Sequence, residues 1–401
     1  MTVMPPLSAS ATSAKLTRRV EVRRGGVPPA TGESRPSASV LAAPSPIHVF
    51  VATPFGERGE GGIDRLADEI TSAIARRNDL NVRIARLTTR GRGSLLFSPF
   101  VLSWAAARLC VASWLGRVSV LHINAASYGS LYRKALLAAV ARLLGVPYVV
   151  HLHSGAFDQF WQSAGPWLDR VIAGFLRNSA AIIVLGRYWS ELIDRRLPGM
   201  EGKVVILPNA TASVATAAEK AKDGRVRISF FGKLGEMKGT PQLIEALASL
   251  RDRSDWTATL AGHGDVAGTR AKLEELRIAD RVSVPGWLAP AAIADLLRRT
   301  DILVQPSFID NLPMAILEAF AQGIPVVATP VGVVPDVIAQ NVNGLLVQPG
   351  DVRGLSDALA ELIGNPALRQ RLGASARRDH AARYEMNGYL SRLAEIWRYA
   401  V

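Results

Sequence analysis

The chain has 401 residues, 49% of them hydrophobic and 20% charged, enough for two domains of ordinary size. A single cysteine, Cys110, excludes an internal disulfide, fits a reducing compartment and reads as a small apolar filler, while six scattered histidines give no metal-ligand cluster. The net charge of +13 lies wholly in residues 1–225, whereas residues 226–401 hold 19 Lys+Arg and 19 Asp+Glu.

No acid occurs between Asp79 and Asp158, an interval that carries Arg83, Arg86, Arg90, Arg92, Arg108, Arg117, Arg133, Lys134 and Arg142. A field of one sign on half a molecule concentrates anionic partners. No helix-turn-helix, RNA-binding sheet or zinc-finger pattern accompanies it, so nucleic acid ranks below an anionic membrane surface or a lipid-linked pyrophosphate.

Residues 1–44 are rich in Ala, Ser, Thr, Pro and Arg with no apolar period, and they read as a disordered basic tail without the apolar core of a signal peptide. Lys15, Arg18, Arg19, Arg23 and Arg24 either touch a membrane or belong to an irrelevant extension, such as one left by a misassigned start. The first domain is expected over 45–211. IHVFVATP (47–54) has the apolar run of a buried parallel strand, and FGERGEGGID (55–64) is a glycine loop before a helix that starts at Asp64. A strand over 81–87 follows. The apolar segment 95–116 follows, and its longest uncharged run, Gly93 to Ala107, is too short and too broken by Pro99 to span a bilayer. It is either a buried helix or, with Trp104, Trp114 and flanking arginines, one lying on a membrane surface.

VSVLHIN (118–124), a helix from Ser130 and PYVVHLHS (147–154) continue the alternation. Arg133 and Lys134, near that helix's start, either meet a phosphate or are solvated helix charges. His153 ends its strand, where open α/β sheets place ligands, and His151 shares its face. Phe157, Asp158, Phe160 and Trp161 read as a loop shaping the entrance to a site at those strand ends. A helix over 167–178, the strand AAIIVLG (180–186), a helix over 188–195 and KVVILPNA (203–210) close the domain, and 212–224 reads as the linker.

The second domain is expected over 225–375. VRISFFGKLGEMKG (226–239) places Lys233 just after a strand and Lys238 just before a helix. TATLAGHGD (257–265), VSVPGW (282–287) and DILVQPS (301–307) are further strands. Then comes SFIDNLPMAILEAFA (307–321). Asn311 suits a helix cap, Pro313 the first turn, and the free N–H groups of Met314 and Ala315 an anion. Glu318 lies about one turn further in. GLLVQPGD (344–351) is the last strand, and the helical pattern from Leu368 to Val401 carries Tyr384, Tyr389, Leu393 and Trp397 on its apolar side.

Asp310 and Glu318, eight positions apart, with Ala319, Gly323, Pro325, Val326, Val327, Ala328, Thr329 and Gly332 behind them, resemble the donor-site signature of retaining GT-B glycosyltransferases of family 4. Asp310 stands where that family usually has Glu, and Ala210 follows Asn209 where Gly is usual. The resemblance covers about residues 47–400 and implies two facing Rossmann-like doubly wound domains, with a C-terminal helix (376–401) crossing back to the first. It implies transfer of a sugar, with retained configuration, from a UDP- or GDP-sugar to a polyprenyl-diphosphate-linked or saccharide acceptor in bacterial surface or exopolysaccharide synthesis. No metal or cofactor is needed.

By the same resemblance, Lys233 and Lys238 stabilise the leaving diphosphate, and Gly61 and Gly62 let backbone approach it. Asp310 orients the donor sugar and His153 faces it. Glu318 holds ribose hydroxyls, Gly262, Trp287 and Leu288 surround the base, and Asn311, Leu312, Met314 and Ala315 form the helix start. Arg133, Lys134 and Asp158 fall on the acceptor side. The expected location is cytoplasmic, peripheral on the inner face of the membrane. A GT-B sugar-nucleotide epimerase and a non-catalytic membrane-associated binding subunit are the alternative readings.

Overall fold

The computed structural model describes residues 45–56, 62–91, 94–213 and 224–401. The tail over 1–44, Gly61 and most of the expected linker lie outside these residues. Ser45–Val401 form one compact unit.

In the first lobe the order is β1 (Ile47–Thr53), α1 (Gly62–Ile74), β2 (Val82–Thr88), α2 (Ser98–Trp114), β3 (Val120–Ala125) and α3 (Gly129–Leu143). Then follow β4 (Tyr148–Leu152), α4 (Phe157–Gln162), α5 (Pro166–Arg177), β5 (Ala181–Val184), α6 (Arg187–Arg196) and β6 (Val204–Ile206). The second lobe runs β7 (Val226–Phe231), α7 (Thr240–Ala248), β8 (Trp256–Ala261), α8 (Val266–Glu275), β9 (Val282–Gly286) and α9 (Pro290–Arg298). It continues through β10 (Ile302–Gln305), α10 (Met314–Gln322), β11 (Val326–Ala328), α11 (Val334–Val337) and β12 (Gly344–Leu346). Helices α12 (Val352–Gly364), α13 (Pro366–Asp379) and α14 (Met386–Ala400) complete the chain.

The strands form two six-stranded parallel sheets, ordered β2-β1-β3-β4-β5-β6 and β12-β11-β10-β7-β8-β9. Central strands such as β3, β4 and β10 are buried at every position. Parallel strands covered on both faces need such continuous apolar runs. In each sheet the strand order reverses once, between β1 and β3 and between β7 and β10, and ligands of open α/β sheets settle in the crevice beyond those strand ends.

The C-terminal pattern is not one helix. A π-helical turn over His380–Tyr384 separates α13 from α14. This break redirects α14 onto the first lobe, where Leu390, Leu393 and Trp397 pack with Val49, Val51, Leu66 and Ile70. Trp397 is fully buried, and its indole N–H donates to His122 Nδ1 at 3.1 Å.

Two expectations are corrected. Residues 157–162 form α4 rather than a loop, and Phe157, Phe160 and Trp161 are core residues, because their apolar area is worth more inside than at an entrance. Cys110 is exposed and fills nothing. The segment beyond Gly93 forms α2, whose Leu102, Ala105 and Leu109 are buried while Phe100, Trp104 and Trp114 are 74%, 68% and 85% exposed. It is therefore apolar on its outer face as well as its inner one.

Replacing Trp397 with Ala removes a large buried ring and leaves His122 Nδ1 unpaired. Denaturant unfolding should register a loss of about 3–5 kcal/mol. A loss under about 1 kcal/mol would mean that α14 rests only loosely on the first lobe.

Candidate active site

The start of α1 and the ends of β4 and β5 in one lobe, and the ends of β7, β8 and β10 in the other, face a cleft of about 450 Å³. That is the size range of small-molecule sites. Gly62, His153, Lys233, Lys238, Gly262, Trp287, Leu288, Asp310, Asn311, Leu312, Met314, Ala315 and Glu318 all line it. Sequence reading singled out each of these, and the fold brings them to one place.

Local geometry explains several of the positions. Gly262 has φ +156°, and a Cβ there would lie 1.6 Å from the Gly232 carbonyl oxygen, so only glycine lets the turns after β7 and β8 touch. Across the cleft, a Cβ on Gly155 would lie 2.4 Å from the Asp310 carbonyl, so the first lobe's backbone rests directly on the loop before α10.

Helix α10 starts differently from expectation. Its cap position is Pro313, and no side chain caps it. The Asn311 carboxamide instead accepts the indole N–H of Trp189 from α6 at 2.7 Å, both residues being buried. A buried indole N–H needs an acceptor, and this one takes priority over a helix end that polar ligands or water can satisfy. The uncapped start keeps the positive end of the helix directed into the cleft.

Charges in the cleft come in pairs. Lys238 forms an ion pair with Asp310, whose carboxylate also accepts the Asn311 N–H at 3.0 Å. Lys233 is exposed and has no carboxylate partner among the described residues. Glu318 pairs with Arg65 of α1, which also reaches Glu69 at 3.4 Å. Burial pushes the Glu318 carboxyl up, and the Arg65 charge opposes that shift. Arg65 went unnoticed in the sequence; only the approach of the lobes places it against Glu318. Gln305 and His263 also line the cleft without a prior reading, and Asn209, read only as part of a turn, lines it too.

His153, half-buried at the cleft, stands in a column with the buried His151 and His122. The ring centroids of His151 and His153 are 4.0 Å apart, and those of His122 and His151 are 5.4 Å apart. Asn124 donates to the Ala52 carbonyl, so its oxygen is free to accept from His153 Nε2 at 2.8 Å, leaving the ring's lone pair on Nδ1. Burial lowers His122 to about 4 and His153 to about 3, and holds His151 well below its usual range. Neither nitrogen of His151 has a hydrogen-bond partner.

The acceptor-side residues lie outside this cleft. Asp158 accepts a hydrogen bond from the Tyr188 hydroxyl. Lys134 is not a solvated helix charge but is fully buried, with Nζ donating to Ser130 Oγ at 2.7 Å. Burial, then the neighbouring Arg133, brings it down to about 7, against the pull of Asp64. Arg133 is half-buried.

Two facing doubly wound lobes with such a cleft between them define the GT-B class of glycosyltransferase. Residues 38–210 match the glycosyl transferase 4-like domain and residues 215–379 match glycosyl transferases group 1, and the chain belongs to that family. Alpha-D-kanosaminyltransferase of Streptomyces kanamyceticus is 27% identical over 281 residues, 65% of this chain and 72% of the relative. Sucrose-phosphate synthase from Thermosynechococcus elongatus is similar in structure, with a TM-score of 0.69 at 18% identity, covering 88% of this chain and 98% of that one. Anabaena HepE in complex with UDP-glucose gives 0.67 at 17% identity, covering 86% and 98%. The enzyme is thus a glycosyltransferase rather than an epimerase or a non-catalytic subunit.

The histidine column sets an acid limit on stability. Folded-state values lie below the ordinary 6.5, so the contribution is complete above pH 6.5 and is lost as pH falls toward about 4 and then 3. His151→Leu should therefore raise the melting temperature more at pH 5 than at pH 8. An equal change at both values would contradict the account.

Proposed function

We propose that the cleft takes a UDP- or GDP-sugar and transfers its glycosyl group, with retained anomeric configuration, to a lipid-linked or saccharide acceptor in surface or exopolysaccharide synthesis. The observation that carries this reading is the convergence of Lys233, Lys238 and the uncapped start of α10 on one cleft, with Glu318 beside them. The similarity to HepE, solved with UDP-glucose, favours UDP.

In this reading Lys233, Lys238 and the N–H groups of Met314 and Ala315 surround the diphosphate. Positive groups fixed where negative charge grows are usually the largest catalytic term. Glu318 accepts from ribose hydroxyls and exchanges Arg65 for them. Gly262, Trp287 and Leu288 border the base. Asp310 orients the donor sugar, and its carboxylate positions Lys238. The bond from the anomeric carbon to the diphosphate oxygen breaks as the acceptor oxygen bonds on the same face, and a diphosphate oxygen takes the acceptor proton. Metal is not required, because the lysines supply the countercharge.

We also assign the enzyme to the inner face of the cytoplasmic membrane. Among the described residues no helix is long and apolar enough to cross a membrane. The support is the outer face of α2, where exposed Phe100, Trp104 and Trp114 stand beside exposed Arg108 and Arg117. Aromatic rings with flanking cations suit a bilayer interface of anionic lipid.

Lys238→Ala should lower kcat/KM by on the order of a hundredfold, about 3 kcal/mol, and Glu318→Ala should weaken donor binding about tenfold, both read from nucleotide release. Near-normal turnover by a folded Lys238→Ala protein would sink the assignment. EDTA should leave turnover unchanged; loss of turnover that a divalent cation restores would sink the metal-free reading. Vesicle binding should need anionic lipid, weaken with salt and fall in Trp104→Ser/Trp114→Ser. Equal binding to neutral vesicles would refute the membrane assignment.

A further inference from the structure

The His153 ring is held from behind in a way that decides what it can offer a ligand. On β3, Asn124 is buried, and the two ends of its carboxamide meet two different strands. Its Nδ2 donates to the Ala52 carbonyl of β1 at 3.3 Å, and its Oδ1 meets His153 Nε2, just beyond β4, at 2.8 Å. Turning the carboxamide over would set its oxygen against the Ala52 oxygen, two acceptors with no proton between them. A buried carbonyl needs its donor, so the amide keeps this sense. The hydrogen of His153 therefore sits on Nε2, and in a neutral imidazole Nδ1 is then a bare acceptor. Desolvation keeps the ring neutral by lowering its value to about 3.

Among the described residues Nδ1 has no hydrogen-bond partner, yet it is not sealed off, in contrast to both nitrogens of the neighbouring His151. His153 lines the cleft, so this lone pair is open to what the cleft holds. Two residues further on, Gly155 rests on the Asp310 backbone, which brings His153 and Asp310 to one end of the cleft. The Asp310 carboxylate is an acceptor as well, and the cation beside it, Lys238, is already its partner. A ligand reaching this end meets two acceptors and a cation that is taken. A hydroxyl brings the proton that both acceptors lack. A carboxylate brings none, and desolvating it against a fixed lone pair is costly.

We infer that Asn124 is a positioning residue and that, through the lone pair it turns toward the cleft on His153, it makes the enzyme transfer a neutral sugar rather than a uronic acid. This rests on the transfer reading above and narrows its donor to sugars that present a hydroxyl at this end of the cleft.

The tautomer is read without any ligand. In the full chain carrying nitrogen-15-labelled histidine, a two-bond proton–nitrogen correlation spectrum, assigned against His153→Gln, should show His153 neutral with its proton on Nε2 at neutral pH. A proton on Nδ1 would overturn the inference. Titration calorimetry then compares UDP-glucose with UDP-glucuronate, or GDP-mannose with GDP-mannuronate where GDP is the nucleotide that binds. The neutral sugar should bind at least about tenfold more tightly, and equal or tighter binding of the uronate would overturn the discrimination. Asn124→Leu frees the ring to take either tautomer and should bring the two sugars close to equal, with UDP affinity reporting that the cleft is intact. An undiminished preference in a folded Asn124→Leu protein would remove Asn124 from the account. Where that variant does not fold, the parent protein's spectrum and sugar preference decide. Failure of both UDP and GDP to bind the parent protein would defeat the donor assignment and the sugar preference with it, while the spectrum still judges the hold of Asn124 on the ring.

Discussion

Two sheets enclose a cleft only if something fixes the angle between them. Here that constraint is the contact of the loop before α10 with the first lobe. Gly155 accepts the Asp310 backbone at a distance no side chain permits, and the Trp189 indole is hydrogen-bonded to Asn311. Arg187 adds two bonds to the Asp336 carboxylate, through its backbone N–H at 2.7 Å and its Nε at 3.0 Å. One apolar cluster runs through this region, from Trp189 to Leu312, Ile316 and Val333. Asp310, which lines the cleft, thus lies one position away from Asn311, which ties the lobes together. Precision in the site follows from packing beside it.

The cleft's electrostatics follow from the same closeness. Lys238 with Asp310 and Arg65 with Glu318 are partly buried pairs, and such pairs are favourable only while each charge keeps its partner. An anionic ligand with sugar hydroxyls can replace both partners at once, offering phosphate to the cations and hydroxyl donors to the acids. A simple anion replaces only one side of each pair.

Much of this was legible in the sequence. The parallel strands announce themselves because burial on both faces demands uninterrupted apolar runs, as in β3 and β4. The Asp310 and Glu318 segment is legible because acid, helix start and following strand are contiguous. Features that depend on another part of the chain were not. Nothing near Arg65 predicts Glu318 as its partner, and nothing near Asn311 predicts Trp189. Lys134 reads as a surface charge by its helix position, yet the sheet covers it. The aromatic residues at 157, 160 and 161 carry a helical spacing that a loop reading overlooked, and the turn at His380–Tyr384 has no proline or glycine to mark it.

The return of α14 to the first lobe has a bearing on how the chain comes to be folded. One wall of the amino-terminal core, including the partner of His122, is made from residues translated after everything in the second lobe. During synthesis the earliest sheet must wait with one apolar face uncovered, exposed to the cell and to aggregation, until the last helix emerges. Sealing of the older half is thereby tied to completion of the younger, and a nascent chain that stalls before residue 386 remains open on that side.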